Sequence, residues 1–225
     1  MSDHRTRFLQ LALRADALRF GEFTLKSGRA SPYFFNAGRF DSGRALAELA
    51  GCYADAIDQA GVAGQLQEFD MLFGPAYKGI PLATALACEY ARRGRDLPLA
   101  FNRKEAKTHG EGGNLIGAPL AGRKVLVVDD VITAGTAIRE ALAIIEAAGG
   151  SVAGIVIALD RQEAVDPSRS RRSAAQTVAT EHGLPVIAVA SLDDLLGLAD
   201  GSAELAGERP RLLAYRAAYG SDDAA

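Results

Sequence analysis

Between Lys124 and Ala137 the chain runs KVLVVDDVITAGTA. Val125-Leu126-Val127-Val128 is unbroken apolar sequence, preceded by a turn residue at Gly122. Continuous rather than alternating apolarity marks a strand buried on both faces, as in a parallel sheet covered by helices. Asp129 and Asp130 stand where that strand ends, and Thr133-Ala134-Gly135-Thr136 forms a short loop of small and hydroxyl residues. Ala137, Ile138, Ala141, Leu142 and Ile145 then repeat at helical spacing. A helix starting near Thr136 aims unpaired backbone N–H groups and the positive end of its dipole into the loop.

Such a loop is a phosphate cradle, and two carboxylates beside it need a ligand that tolerates both. A sugar phosphate does. The loop takes the phosphate, while Asp129 and Asp130 accept hydrogen bonds from ribose hydroxyls and lie near any bound divalent cation. A capped helix after an acidic strand end is common in α/β proteins, and one aspartate would leave that reading level. The spacing acid-acid-x-x-Thr-x-Gly-Thr favours ribose phosphate.

Outward from this stretch, strand and helix alternate. Val152–Leu159 forms a further strand, interrupted by Gly154, with Asp160-Arg161-Gln162 at its end. A helix near Ala174–His182, a strand Pro185–Val189, a helix opening at Ser191 and a last helix over about Arg211–Tyr219 follow. The expectation is an α/β fold with a central parallel sheet flanked by helices. On the N-terminal side, a helix carries Phe8, Leu11, Ala12, Ala15 and Leu18, and Phe20 to Asn36 reads as a hairpin turning at SGRAS. That hairpin is expected to form a small cap, contributed by residues 1–40, within one domain spanning residues 1–225. A helix from Ser42 to about Gln59, a loop over Gly61–Glu68 and a short strand Asp70–Phe73 lead to Gly74-Pro75. Pro81 suits the start of the next helix. Tyr77 and Lys78 sit in that glycine-containing strand-to-helix turn, a weak pyrophosphate signal on its own.

After a strand at Leu97–Phe101 come Arg103, Lys104, Lys107 and His109, then Gly110, Gly112 and Gly113. Cations on a glycine-rich segment too polar to pack describe a mobile, solvated loop. The segment Asp166–Ser173 reads as a basic, polar linker.

The chain has 225 residues, 48% hydrophobic and 24% charged, which is ordinary for a globular protein. A net charge of −3 offers no general attraction to nucleic acid or anionic membrane. No apolar run is long enough to span a bilayer, and MSDHRTRFLQ has no signal core, so the cytoplasm is the expected compartment. Cys52 and Cys88 lie in helical patterns that predict buried, reduced thiols and have no zinc spacing, and His4, His109 and His182 are scattered. No Walker A loop, GxGxxG fingerprint or HExxH helix occurs.

VLVVDDVITAGTA resembles the signature of the type I phosphoribosyltransferases that binds 5-phosphoribosyl 1-pyrophosphate (PRPP). FTLKSGRASPYFFN (Phe23–Asn36), NRKEAKTHGEGGN (Asn102–Asn114) and LDRQE (Leu159–Glu163) narrow the resemblance to the orotate phosphoribosyltransferase family. The similarity runs from the first helix to AYRAAYG (Ala214–Gly220). It implies transfer of ribose 5-phosphate from PRPP to orotate, with Mg²⁺ held mainly by PRPP near Asp129 and Asp130. PRPP contacts are implied for Tyr77, Lys78 and the loop Asp129, Asp130, Val131, Ile132, Thr133, Ala134, Gly135, Thr136 and Ala137. Arg103, Lys104, Lys107 and His109 become a closing lid, shared across a homodimer interface over about Arg103–Asn114. Lys107 is the nearest to a catalytic lid residue, with His109 as helper and Asp129 and Asp130 on the ribose side. Spacing alone leaves Lys26 an ordinary solvated lysine, and the resemblance makes it a contact to pyrophosphate and orotate. Phe34 and Phe35 point to opposite faces of a strand, so one packs inward while the other can wall a pocket. The resemblance assigns both to orotate, together with Thr133 and Arg161, whose plain alternative is a salt bridge to Asp129 or Asp130. It also implies a cis peptide at Ala76–Tyr77.

Two other readings remain open on sequence. A non-catalytic PRPP- or nucleotide-binding regulator keeps the cradle but can dispense with the lid cations. A phosphoribosyltransferase for another base is disfavoured by Phe34, Phe35 and Arg161.

Overall fold

The structure, a computed structural model, describes residues 3–25, 27–107, 113–166 and 170–222. In chain order the elements are α1 (His4–Arg14), β1 (Leu18–Thr24), β2 (Ala30–Phe35), α2 (Gly43–Val62), β3 (Met71–Gly74), α3 (Gly79–Arg92), β4 (Leu99–Lys107) and β5 (Gly113–Gly117). They continue with β6 (Lys124–Asp129), α4 (Thr136–Ala147), β7 (Ser151–Asp160), β8 (Ala164–Asp166), β9 (Ser170–Ser173), α5 (Ala174–His182), β10 (Val186–Ser191), α6 (Leu192–Asp200) and α7 (Arg209–Tyr219).

Six strands form the main sheet in the order β10-β7-β6-β3-β4-β5, parallel except for the edge strand β5. The stretch Val125–Val128 occupies its middle and is fully buried, as continuous apolarity requires. Its side chains divide between two cores. Leu126 and Val128 face the layer that includes α1, α2 and α3, while Val125 and Val127 pack with Ile138, Leu142 and Ile145 of α4. At about 1.5–3 kcal/mol for each fully buried Val, Leu or Ile, both helical layers are held to this strand chiefly by apolar burial.

Three expectations are corrected. Gly154 does not interrupt its strand, because β7 runs unbroken from Ser151 to Asp160. Val125 pairs Val152 and Leu126 pairs Gly154, so the slip falls at Ala153. A Cβ on Gly154 would lie 2.5 Å from Leu66 Cδ1. The Gly61–Glu68 segment thus closes the core by seating Leu66 on a residue without a side chain. Next, the cation-bearing segment is not a loop from its start. β4 extends to Lys107 and pairs β5 antiparallel, Asn102 opposite Leu115, because a strand edge satisfies backbone groups of polar sequence as well as apolar. Finally, the basic segment Asp166–Ser173 contributes the ribbon of β8 and β9, with Ala164 opposite Ser173, rather than a free linker.

The β1–β2 hairpin is a separate two-stranded sheet, with Leu18 opposite Phe35 and Phe20 opposite Tyr33. Phe35 packs with Phe8 and Phe40. Arg211 of α7 donates 2.7 Å to the Gly21 carbonyl, and Tyr215 meets Tyr33 edge-on at 6.1 Å between ring centroids.

Candidate active site

Parallel strands end on one edge, and this edge carries the polar residues. Asp129 ends β6, and Asp160 ends its neighbour β7 with Arg161 next in chain. On the other side of β6, β3 ends at Gly74 and leads into the turn holding Tyr77 and Lys78.

That turn is pressed against the sheet. A Cβ on Gly79 would lie 2.5 Å from Pro75 Cδ and 2.7 Å from the Val128 carbonyl oxygen, and one on Gly74 would lie 2.4 Å from the Gly79 carbonyl oxygen. Only glycine permits this approach. The Ala76–Tyr77 peptide is cis, and the Ala76 N–H donates to Asn102 Oδ1 at 3.0 Å. Tyr77 is exposed, with Lys104 Nζ 5.6 Å from its ring centroid. Lys78 Nζ lies 2.7 Å from Asp130 Oδ2.

The two aspartates differ in role because their surroundings differ. Asp129 is buried and its Oδ1 accepts the Asp130 N–H at 2.9 Å, while its carbonyl accepts the Tyr53 hydroxyl at 2.7 Å. Burial, reinforced by the neighbouring charge of Asp130, pushes the Asp129 carboxyl up to about 7. Asp130 accepts the Ala158 N–H through its carbonyl at 2.9 Å and meets Lys78 through its side chain. The acid pair is therefore fixed by α2 and β7 as well as by its own strand.

Ile132 is buried beneath the loop and anchors it, whereas Thr133, Ala134, Thr136 and Ala137 are exposed and Val131 is half-buried. Gly135 adopts a left-handed conformation, φ 73°, immediately before α4. No side chain caps this helix, so its first N–H groups face the loop without a side-chain acceptor. Arg139, one turn into α4, donates to the Ala134 carbonyl and lies 3.2 Å from Glu181, bracing the loop from behind.

At the end of β7, Arg161 is half-buried, and Glu163 lies 2.6 Å from its Nη2. Its guanidinium carbon stands 4.5 Å from the Tyr33 ring centroid, and its Nη2 donates to Ser31 Oγ at 3.4 Å. The salt bridge expected as its plain alternative, to Asp129 or Asp130, is absent among the described residues. Glu163 takes that place because it lies two residues along the same turn.

Residues 43–182 match the phosphoribosyl transferase domain. The orotate phosphoribosyltransferase of Xanthomonas campestris pv. campestris (strain B100) is 77% identical over 222 residues, covering 99% of both chains. The chain belongs to the orotate phosphoribosyltransferase family. The orotate phosphoribosyltransferase of Stenotrophomonas maltophilia (strain K279a) is 72% identical over 98% of each chain. Among solved structures, the orotate phosphoribosyltransferase of Francisella tularensis superposes with a TM-score of 0.82 at 40% identity, over 95% of this chain and 99% of that one.

For a member of the orotate phosphoribosyltransferase family, the structure gathers the sequence-derived residues unevenly. Asp129, Asp130, Lys78 and the loop through Ala137 lie along one end of β6. Lys104 reaches Tyr77, and Arg103 is half-buried beside it in β4, its Nε without a hydrogen-bond partner among the described residues. Phe35 is the one of the pair that packs inward, against Phe8 and Phe40. Phe34, half-buried on the opposite face, lies 5.5 Å from Phe23 and 5.9 Å from Arg19. Lys26 and His109 lie outside the described residues, and of Lys107 only the backbone, ending β4, is described.

Four contributors were not singled out from sequence. Tyr53 and Arg139 sit in ordinary helical patterns and signal nothing locally. Asn102 carried one usable sign, a polar residue continuing an apolar strand. Glu163 was visible only as the end of LDRQE.

Proposed function

We propose that this protein transfers the ribose 5-phosphate group of PRPP to orotate, giving orotidine 5′-monophosphate and pyrophosphate in the synthesis of pyrimidine nucleotides. One observation carries the reading: the Asp129–Asp130 pair and the uncapped start of α4 lie at the end of β6, on the same sheet edge as the end of the adjacent strand β7, which Arg161 follows. The kinship with curated orotate phosphoribosyltransferases supports the choice of base.

In this reading the 5′-phosphate sits on the loop Thr133–Ala137, held by backbone N–H groups and the Thr133 and Thr136 hydroxyls. The anomeric C–O bond breaks with its electron pair leaving on pyrophosphate, and C1 passes through an oxocarbenium-like state before bonding to the orotate anion. Asp129 and Asp130 accept the ribose hydroxyls and stabilise the positive sugar. Lys26, Tyr77, Lys78, Arg103, Lys104, Lys107 and His109 serve the departing pyrophosphate, with Lys107 the group that neutralises or protonates it. Lys78 exchanges Asp130 for a phosphate oxygen when PRPP binds, which frees Asp130 for the sugar. Phe34, Phe35 and Arg161 hold orotate with Thr133 and Lys26, and a planar guanidinium suits a carboxylate.

Magnesium enters as the partner of PRPP. No group of three or more possible metal-ligating side chains occurs among the described residues, Asp130 is engaged with Lys78, and Asp129 is held partly protonated near neutral pH. That donor set fits an ion carried mostly by phosphate, hydroxyl and water oxygens, with Asp129 and Asp130 nearby. When bound, such an ion would supply charge neutralisation on pyrophosphate. Chelation should abolish turnover and added Mg²⁺ should restore it; undiminished turnover in chelator would remove the metal from the scheme.

The protein is further proposed to act as a homodimer that shares the segment around Arg103–Asn114, a reading supported by that segment's resemblance to the family lid. Cys52 is buried as its helical pattern predicts, whereas Cys88 is exposed rather than buried, and a free thiol there suits a reducing cytoplasm. No described helix is long and apolar enough to cross a membrane. The decisive assay mixes protein, Mg²⁺, PRPP and orotate and follows loss of orotate absorbance. Equal consumption of purine bases, or no consumption of orotate, would overturn the assignment.

A further inference from the structure

Arg161 presents an electrostatic puzzle. A largely desolvated guanidinium that must also greet an anionic base needs a partner, or the loss of water alone disfavours it, yet that partner must not compete for the same face. Glu163 meets this condition. Its Oε1 accepts Arg161 Nε at 2.7 Å and lies 2.6 Å from Nη2, which leaves Nη1 as the nitrogen to meet a substrate carboxylate.

Glu163 is itself held from three directions. The Tyr215 hydroxyl, from α7, donates to the same Oε1 at 2.8 Å. Arg29, from the hairpin turn, lies 3.9 Å from Oε2 and donates to the Ala164 carbonyl at 2.8 Å. The Glu163 backbone bridges Gly220 in antiparallel fashion, and the next N–H, of Ser221, donates to the Gln162 carbonyl at 2.7 Å. Asp222 closes the strap through Arg171, 3.0 Å from its Nε. Ser221 and Asp222, in a stretch silent in sequence, thus tie the backbone after Gly220 to the turn that carries Arg161.

We propose that Glu163 is a positioning residue, clamped by Tyr215 and the C-terminal strap, that aims Arg161 at the base and sets the preference for a carboxylate-bearing pyrimidine. This rests on the reading that Arg161 binds orotate. Glu163 touches no reacting atom. It acts by fixing which nitrogens of Arg161 face the pocket, much as outer partners orient the groups that touch a bound ligand.

The test compares wild type, Glu163→Gln, Tyr215→Phe and Arg161→Ala in steady-state kinetics, with uracil as a competing ligand that lacks the carboxylate. Glu163→Gln should raise the orotate KM about tenfold or more, the loss expected for a misplaced charged hydrogen bond. The PRPP KM and the inhibition constant of uracil should stay within about twofold. Tyr215→Phe should shift the orotate KM in the same sense by less. A merely structural role would move all three constants together, or none while lowering Tm, and either pattern overturns the proposal. Should Glu163→Gln fail to fold, the isosteric Tyr215→Phe decides by the same criteria. If wild type consumes no orotate, or Arg161→Ala leaves its orotate KM unchanged, the underlying site reading falls instead.

Discussion

Replacing Asp129 by asparagine removes a buried charge while keeping an Oδ1 acceptor for the Asp130 N–H. The wild-type carboxyl is pushed from its ordinary 3.8 to about 7 by burial and then by Asp130. Because the folded-state value is raised, the native state holds this proton more tightly than the unfolded chain does. The stability from this group is fully present below pH 3.8 and is lost as pH rises through 7. A gap of roughly 3 pH units, at about 1.36 kcal/mol each, sets the full cost at about 4 kcal/mol. About 3 kcal/mol of that falls between pH 5 and pH 8.5. The asparagine variant lacks this titration, so its Tm advantage over wild type should grow by about 6–12 °C between those two conditions, at roughly 2–4 °C per kcal/mol for a chain of this size. Thermal unfolding of both proteins without substrate, at equal ionic strength, measures the difference directly. Other carboxylates titrate in both proteins and cancel. A difference that stays constant from pH 5 to pH 8.5 would refute the argument that Asp129 is desolvated and repelled. Activity should fall in the same variant, because the amide offers ribose one acceptor where the carboxylate offers two.

Three further substitutions have defined outcomes. Arg161→Ala should raise the orotate KM about tenfold or more with little change for PRPP, and an unchanged orotate KM would remove Arg161 from the base site. Lys107→Ala should lower kcat by about a hundredfold while PRPP binding, measured by calorimetry, weakens far less; equal losses would make it a binding residue only. Gly79→Ala drives a Cβ into Pro75 and the Val128 carbonyl, so denaturant unfolding should show a loss of about 1–3 kcal/mol, and an unaltered midpoint would contradict the packing described.

Much of this site was written locally. The four apolar residues before Asp129 needed no context to be read as a central strand, because burial on both faces leaves no polar alternation. The helix start after Gly135 was equally legible, since a small-residue turn followed by helical periodicity has few other outcomes. Phe34 and Phe35 were partly legible. Period-two alternation required that they part, but which one entered the core depended on Phe8 and Phe40, distant in sequence. The strand character of Arg103–Lys107 was hidden because its polar sequence suits solvent and sheet edge alike, and only pairing with β5 decides between them.

By itself, then, the sequence determined the central strand β6, the helix that follows it, the paired acids at the strand end and the small-residue turn between them, all of which depend on neighbours a few residues apart. The tertiary structure alone decided what each polar group meets. Lys78 meets Asp130, Tyr53 meets the Asp129 carbonyl, and Glu163 claims Arg161 with Tyr215 from the far end of the chain. The reason is physical: hydrogen bonds and ion pairs act over a few ångströms of space, and chain separation places no limit on which residues packing brings that close.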